Sequence, residues 1–152
     1  MAYITDRVMR FIELTLSADQ TLSTTAATAI DFDTIRGTPG YGVSLPSTGT
    51  IRLKAGREYT LQAQGAVSIS SAGPLTFKWY DVTGAANMGA ADGAGDGVHT
   101  ATYSVTTQDR SDSTMGVLAI APTSDFDVQY RVEGKTGTVR ADSSRIIIME
   151  AA

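Results

Sequence analysis

The sequence predicts an all-β protein built as a two-sheet antiparallel sandwich, and three observations carry that expectation. About eight to ten short stretches alternate apolar and polar residues, with Gly- and Pro-bearing turns between them. No segment competes with a helical period. The chain also closes on its most apolar stretch, Ser143-Ser144-Arg145-Ile146-Ile147-Ile148-Met149-Glu150, with only Ala151 and Ala152 after it. Such a stretch at a sheet edge would be a sticky template for other chains. Its expected place is inside a sheet, flanked by earlier strands, in a sandwich whose two ends meet.

Residues 1–10 set Asp6, Arg7 and Arg10 among Tyr3, Ile4, Val8 and Met9 and read as an arm or a short helical turn ahead of one domain spanning 11–152. Phe11 to Ser17 alternates from Ile12 onward, as a half-buried strand does. Residues 18–28 are small and polar and read as a connection. Ala29 to Ile35 alternates again, with Ile30, Phe32 and Ile35 inward. Turn clusters at Gly37-Thr38-Pro39-Gly40 and Pro46-Ser47-Thr48-Gly49 enclose a short strand from Tyr41 to Leu45. Thr50 to Lys54 is the next strand. After Ala55-Gly56, Tyr59, Leu61, Ala63, Val67 and Ile69 share one parity, with room for a bulge near Gly65.

Leu75, Phe77 and Trp79 form one apolar face of the stretch that follows Gly73-Pro74. Residues 84–97 are too Gly-rich for a stable helix and make the longest loop. Strand character resumes from Val98 to Thr107. Met115 to Ile120 is a nearly continuous apolar run, suited to a strand covered on both faces. Phe126, Val128, Tyr130 and Val132 alternate without a miss, Glu133 to Gly137 turns, and Thr138 to Arg140 leads into the closing strand.

Composition limits the function classes. A chain of 152 residues, 42% hydrophobic and 18% charged, is one folded domain that buries about two-thirds of its unfolded surface. A net charge of −4 gives no electrostatic grip on nucleic acid or an anionic membrane. With no cysteine there is no disulfide, thiolate zinc site or cysteine nucleophile. No apolar run approaches the roughly 20 residues of a membrane-spanning helix, and Met1 to Arg7 lacks a signal-peptide core. The expected product is made in a cytoplasm and stays soluble or assembles there.

Thr48-Gly49-Thr50-Ile51-Arg52-Leu53-Lys54-Ala55-Gly56-Arg57-Glu58-Tyr59-Thr60-Leu61 resembles the tumour-necrosis-factor-like jelly roll, the fold shared with the globular heads of complement-type and collagen-tailed proteins. A short strand, a Gly and then a Tyr there lead into a long central strand. Asp125 to Val132 resembles the penultimate strand of that fold, Ser144 to Glu150 its closing strand, and Ile30-Asp31-Phe32-Asp33 its early strand. The resemblance implies a ten-strand, two-sheet sandwich that packs side by side as a trimer. The chain departs from the extracellular members in having no Gly-X-Y segment and no cysteine, and its first residues are not expected to act as a signal peptide. Without those features it resembles virion surface proteins, including the head-decoration and fibre-head proteins of tailed bacteriophages.

Few residues invite a chemical reading. His99 is the only histidine, and no Gly-x-Ser-x-Gly elbow accompanies it. Asp92 and Asp96 sit in a flexible Gly-rich stretch that lacks the EF-hand pattern, so a soluble loop is preferred to a cation site. Asp31/Asp33 and Asp125/Asp127 each bracket a Phe and read as solvated strand faces rather than acid/base pairs. No catalytic residue, metal ligand or cofactor is expected. Ile147 is more telling. With Ile146 and Ile148 inward it faces outward on a central strand, as expected where copies of the chain cover it around a trimer axis, although loops of the same chain could cover it instead. Met115, Val117 and Ala119 tell the same two-sided story, and Tyr80, opposite in parity to Trp79, is a further candidate for a subunit contact. Arg7 and Arg10, with Tyr3 and Ile4, are candidates for an arm that binds an acidic shell.

Together with these residues, the resemblance implies a structural role, that of a homotrimeric decoration or cement protein on the outer surface of a bacteriophage head with the major capsid protein as partner. The alternative is a receptor- or carbohydrate-binding head on a phage fibre, read through loops 36–49 and 84–97, although no loop there clusters Trp or Tyr for sugar stacking. An enzyme has only scattered carboxylates in its favour.

Overall fold

A computed structural model describes residues 9–37, 42–69, 71, 73–88, 98–103 and 116–151. Among them are fifteen strands and no helix: β1 Met9–Thr15, β2 Gln20–Leu22, β3 Thr28–Ala29, β4 Thr34–Gly37, β5 Val43–Ser47, β6 Thr50–Leu53, β7 Glu58–Gln64, β8 Val67–Ile69, β9 Gly73–Asp81, β10 Ala86–Asn87, β11 Val98–Tyr103, β12 Gly116–Ile120, β13 Phe126–Glu133, β14 Gly137–Val139 and β15 Arg145–Ala151. Ten of them are four residues or longer, and those form the body of the sandwich.

Every strand pairing among the described residues is antiparallel. One sheet has five strands in the order β12-β7-β15-β1-β4. The second has seven, in the order β10-β9-β13-β6-β5, with β11 also paired to β9 and β3 to β13. A third, small sheet runs β2-β14-β8. The closing strand does lie inside a sheet, since β15 pairs along its whole length with β1 on one side and β7 on the other.

Alternation decides which side chains meet between the layers. Ile12, Leu14, Leu61, Ala63, Ile146 and Ile148 from the five-stranded sheet join Ile51, Leu53, Leu75, Phe77, Trp79, Val128, Tyr130 and Val132 from the seven-stranded one in a single core. Its centre is aromatic. Tyr130 lies directly across from Trp79 in the ladder, with ring centroids 4.8 Å apart, and stacks on Phe77 at 5.8 Å.

Several elements differ from the sequence expectation. Residues 18–28 contain β2 and the start of β3. Ile30 and Phe32 are fully buried as expected, but the segment from Ile30 to Asp33 forms no ladder. The strand before the first Thr-Gly turn runs through Pro46 to Ser47, with a register shift between Ser44 and Ser47. Pro is tolerated there because β5 is an edge strand. Near Gly65 the chain does more than bulge. It leaves the five-stranded sheet and enters the small one as β8. A Cβ on Gly65 would come within 2.5 Å of Phe77 Cε1, so the crossing needs a residue without a side chain. Ser144 Oγ secures the crossing by accepting the Ala66 N–H at 3.0 Å.

Candidate self-association surface

In β15, Ile146, Ile148 and Glu150 point into the core, while Arg145, Ile147 and Met149 point outward. Cross-strand partners share a face. Phe11 therefore stands beside Met149, Glu13 beside Ile147, and Met9 beside Ala151 on the outer side. Gln62 continues the row on β7 and Val117 on β12. Phe11 is 64% exposed, Met9 52%, Val117 50% and Ile147 37%. No other large hydrophobic residue among the described residues is so exposed. Scattered exposed hydrophobics are ordinary, but all four of these lie on one face of one sheet. A groove of about 400 Å³ runs along it, lined by Phe11, Ile12, Glu13, Arg36, Gly37 and Ile147.

The outer face of the seven-stranded sheet is charged and already paired. Arg52 grips Asp127, directly across the ladder, through two bonds of 2.8 Å. Lys78 Nζ lies 2.8 Å from Glu133. The Arg131 guanidinium sits 3.4 Å above the Tyr80 ring, and its Nε donates to Gln129 Oε1 at 2.8 Å. Polar groups satisfied this way gain little from being covered by a partner.

The structure brings Val117 and Ile147 together but separates Tyr80 from them. Tyr80 belongs to β9, so its outward parity places it on the opposite layer, beneath Arg131. Met115, Tyr3, Ile4 and Arg7 lie outside the described residues. Arg10 was expected in the arm, yet the ladder reaches back to Met9 and takes Arg10 with it, half-buried and across from Glu150. Phe11 and Met9 were missed as surface candidates. The parity that turns Ile12, Leu14 and Leu16 inward leaves Phe11 outward, so the signal was there.

The carboxylate pairs have local duties. Asp125 Oδ1 accepts the Ala55 N–H at 3.0 Å, and Asp127 is held by Arg52. Asp33 accepts from both the backbone and the hydroxyl of Ser17, and the hydroxyl bond holds its carboxyl below the usual range. Burial, with the nearby Asp33 charge, pushes Asp31 up. A raised folded pKa means that ionised Asp31 opposes folding, and this penalty disappears as pH falls through that pKa. Asp31→Asn should therefore raise the melting temperature at pH 7, with the gain shrinking in acid. A lower melting temperature at pH 7 would contradict this account. His99 falls in β11, across from Phe77, and Asp92 and Asp96 lie outside the described residues. Among the described residues no three His, Cys, Asp or Glu side chains group as metal ligands, and no helix is long and apolar enough to cross a membrane.

No family model and no curated protein matches the sequence. Solved structures do match the fold. The structure of Eiger TNF from S. frugiperda is 14% identical, covers 96% of this chain and 93% of its own, and superposes with a TM-score of 0.62. Murine APRIL at pH 8.0 is 9% identical, with 93% and 98% coverage and a TM-score of 0.55. Murine APRIL at pH 8.5 is 7% identical, with the same coverage and a TM-score of 0.54. At these identities the likeness is one of fold, a two-sheet jelly roll of the tumour-necrosis-factor kind.

Proposed function

We propose that this tumour-necrosis-factor-like jelly roll is a structural, non-catalytic protein that associates with copies of itself, as a homotrimer, through the outer face of its five-stranded sheet. The observation that carries this reading is the confinement of Met9, Phe11, Val117 and Ile147 to that face, opposite a layer whose charges are paired within the chain. Phe11 is the natural anchor, because a large ring that is mostly in water gains most from being covered. In the finer reading the trimer decorates or cements a bacteriophage head, on the outer surface of the virion, with the N-terminal segment of residues 1–10 reaching the major capsid protein. The cysteine-free, acidic composition is compatible with that role.

Sedimentation mass tests the association. The protein should sediment as an oligomer, and Phe11→Ser should shift it to monomer without lowering the melting temperature of the monomer. A wild-type chain that remains monomeric at all concentrations sinks the reading. Incubation with undecorated shells tests the finer role: failure to bind, or unchanged shell melting, counts against it.

A further inference from the structure

We propose that an ion pair between copies, Arg36 of one to Glu13 of the next, sets the register of this association. The inference rests on the self-association reading and adds to it the contact that specifies the partner. Arg36 lies on the edge strand β4, directly across from Glu13 on β1. The two residues lie on the wall of the same groove, with Phe11 and Ile147. Arg36 is exposed, and among the described residues its guanidinium makes no hydrogen bond or ion pair. Among the described residues Glu13 pairs with Arg145, at a loose 3.7 Å, the Arg145 side chain 52% and the Glu13 side chain 35% exposed.

Covering Phe11 and Ile147 would strip water from Glu13 as well. A carboxylate moved out of water opposes association unless a cation comes with it. The groove holds, side by side on neighbouring strands, a cation without a partner among the described residues and an under-held anion, next to the apolar anchors Phe11 and Ile147. A patch of that kind carries both halves of a head-to-tail contact between copies. Rotating one copy onto another can bring Glu13 to a neighbour's Arg36, and the same contact then repeats around a closed ring. An acidic peptide from another protein would use Arg36 alone and leave Glu13 stranded, so a second copy is the better occupant.

Charge reversal in the full-length chain tests this, read by sedimentation. Arg36→Glu and Glu13→Arg should each weaken association by about tenfold or more, the lower range for close interfacial charge pairs. Mixing the two variants should recover part of the loss, because mixed contacts pair opposite charges again, and the double variant should recover most of it. Melting curves of the diluted variants confirm that each still folds, and Arg36→Gln, which removes charge without reversing it, should fall between wild type and Arg36→Glu. If Arg36→Glu is silent, or mixing recovers nothing, the inference is overturned while association dependent on Phe11 stands. If the wild-type chain never associates, both fall together.

Discussion

Truncation before Arg145 is expected to abolish folding. β15 is the middle strand of its sheet, in register with β1 from Met9 to Thr15 and with β7 from Glu58 to Gln64. Removing it strands the facing N–H and C=O groups of two strands at the edge of the core, where unpaired backbone groups are costly. It also removes Ile146 and Ile148, both fully buried, each contributing about 1.5–3 kcal/mol of burial. Together with the lost ladders, that consumes most of the roughly 5–15 kcal/mol that holds a domain together. Circular dichroism and a denaturant titration are the measurements. The shortened chain should show no cooperative transition, and Ile148→Ala should unfold cooperatively with a loss of about 2–5 kcal/mol. A truncated chain with native-like spectra and a sharp transition would mean that the sheet is held some other way.

Parity was legible in the sequence wherever a strand was long. Ile12, Leu14 and Leu16, the Tyr59 to Ala63 row, the Leu75 to Trp79 row and the Val128 to Val132 row are all buried as alternation predicts. Strands of two or three residues show too few alternations to stand out, so β2 read as connection and β3 was divided between that connection and the stretch from Ala29 to Ile35. The passage from β7 to β8 was hidden because the buried parity continues from Ala63 to Val67 across the change of sheet, and only the distant Phe77 ring shows why Gly65 is needed. The apolar run in β12 was expected to be covered on both faces, yet Val117 and Ala119 are exposed in the single chain. The association surface was half legible. Val117 and Ile147 follow from local alternation, whereas which layer Tyr80 joins depends on long-range pairing that spacing does not encode. Glu150 was overlooked for the opposite reason. Its parity with Ile146 and Ile148 pointed inward, and a carboxylate at an inward position is itself a signal of a buried partner.

That partner makes Arg57→Ala the second large effect. The Glu150 side chain is fully buried and meets the Arg57 guanidinium through Oε1, while Oε2 accepts the Gly42 N–H at 3.1 Å. Gly42 leads into β5 of the seven-stranded sheet, so this carboxylate ties one layer to the other. Without Arg57 the one hydrogen bond left to this buried anion among the described residues comes from a neutral donor, the Gly42 N–H. Breaking a buried pair costs about 3–5 kcal/mol, and the 25% exposure of the Arg57 side chain argues for the lower end. Arg52→Ala is the internal comparison. It breaks a better-aligned pair with Asp127, but the Arg52 side chain is 46% exposed, and exposed pairs contribute about 0–1 kcal/mol. Adding Glu150→Gln to Arg57→Ala should restore part of the loss, because the stranded charge disappears while the amide oxygen can still accept from Gly42. A urea-based double-mutant cycle reads the coupling directly. If Arg57→Ala costs no more than Arg52→Ala, Glu150 is not a buried charge in need of its arginine, and the tie between the layers must come from the apolar core alone.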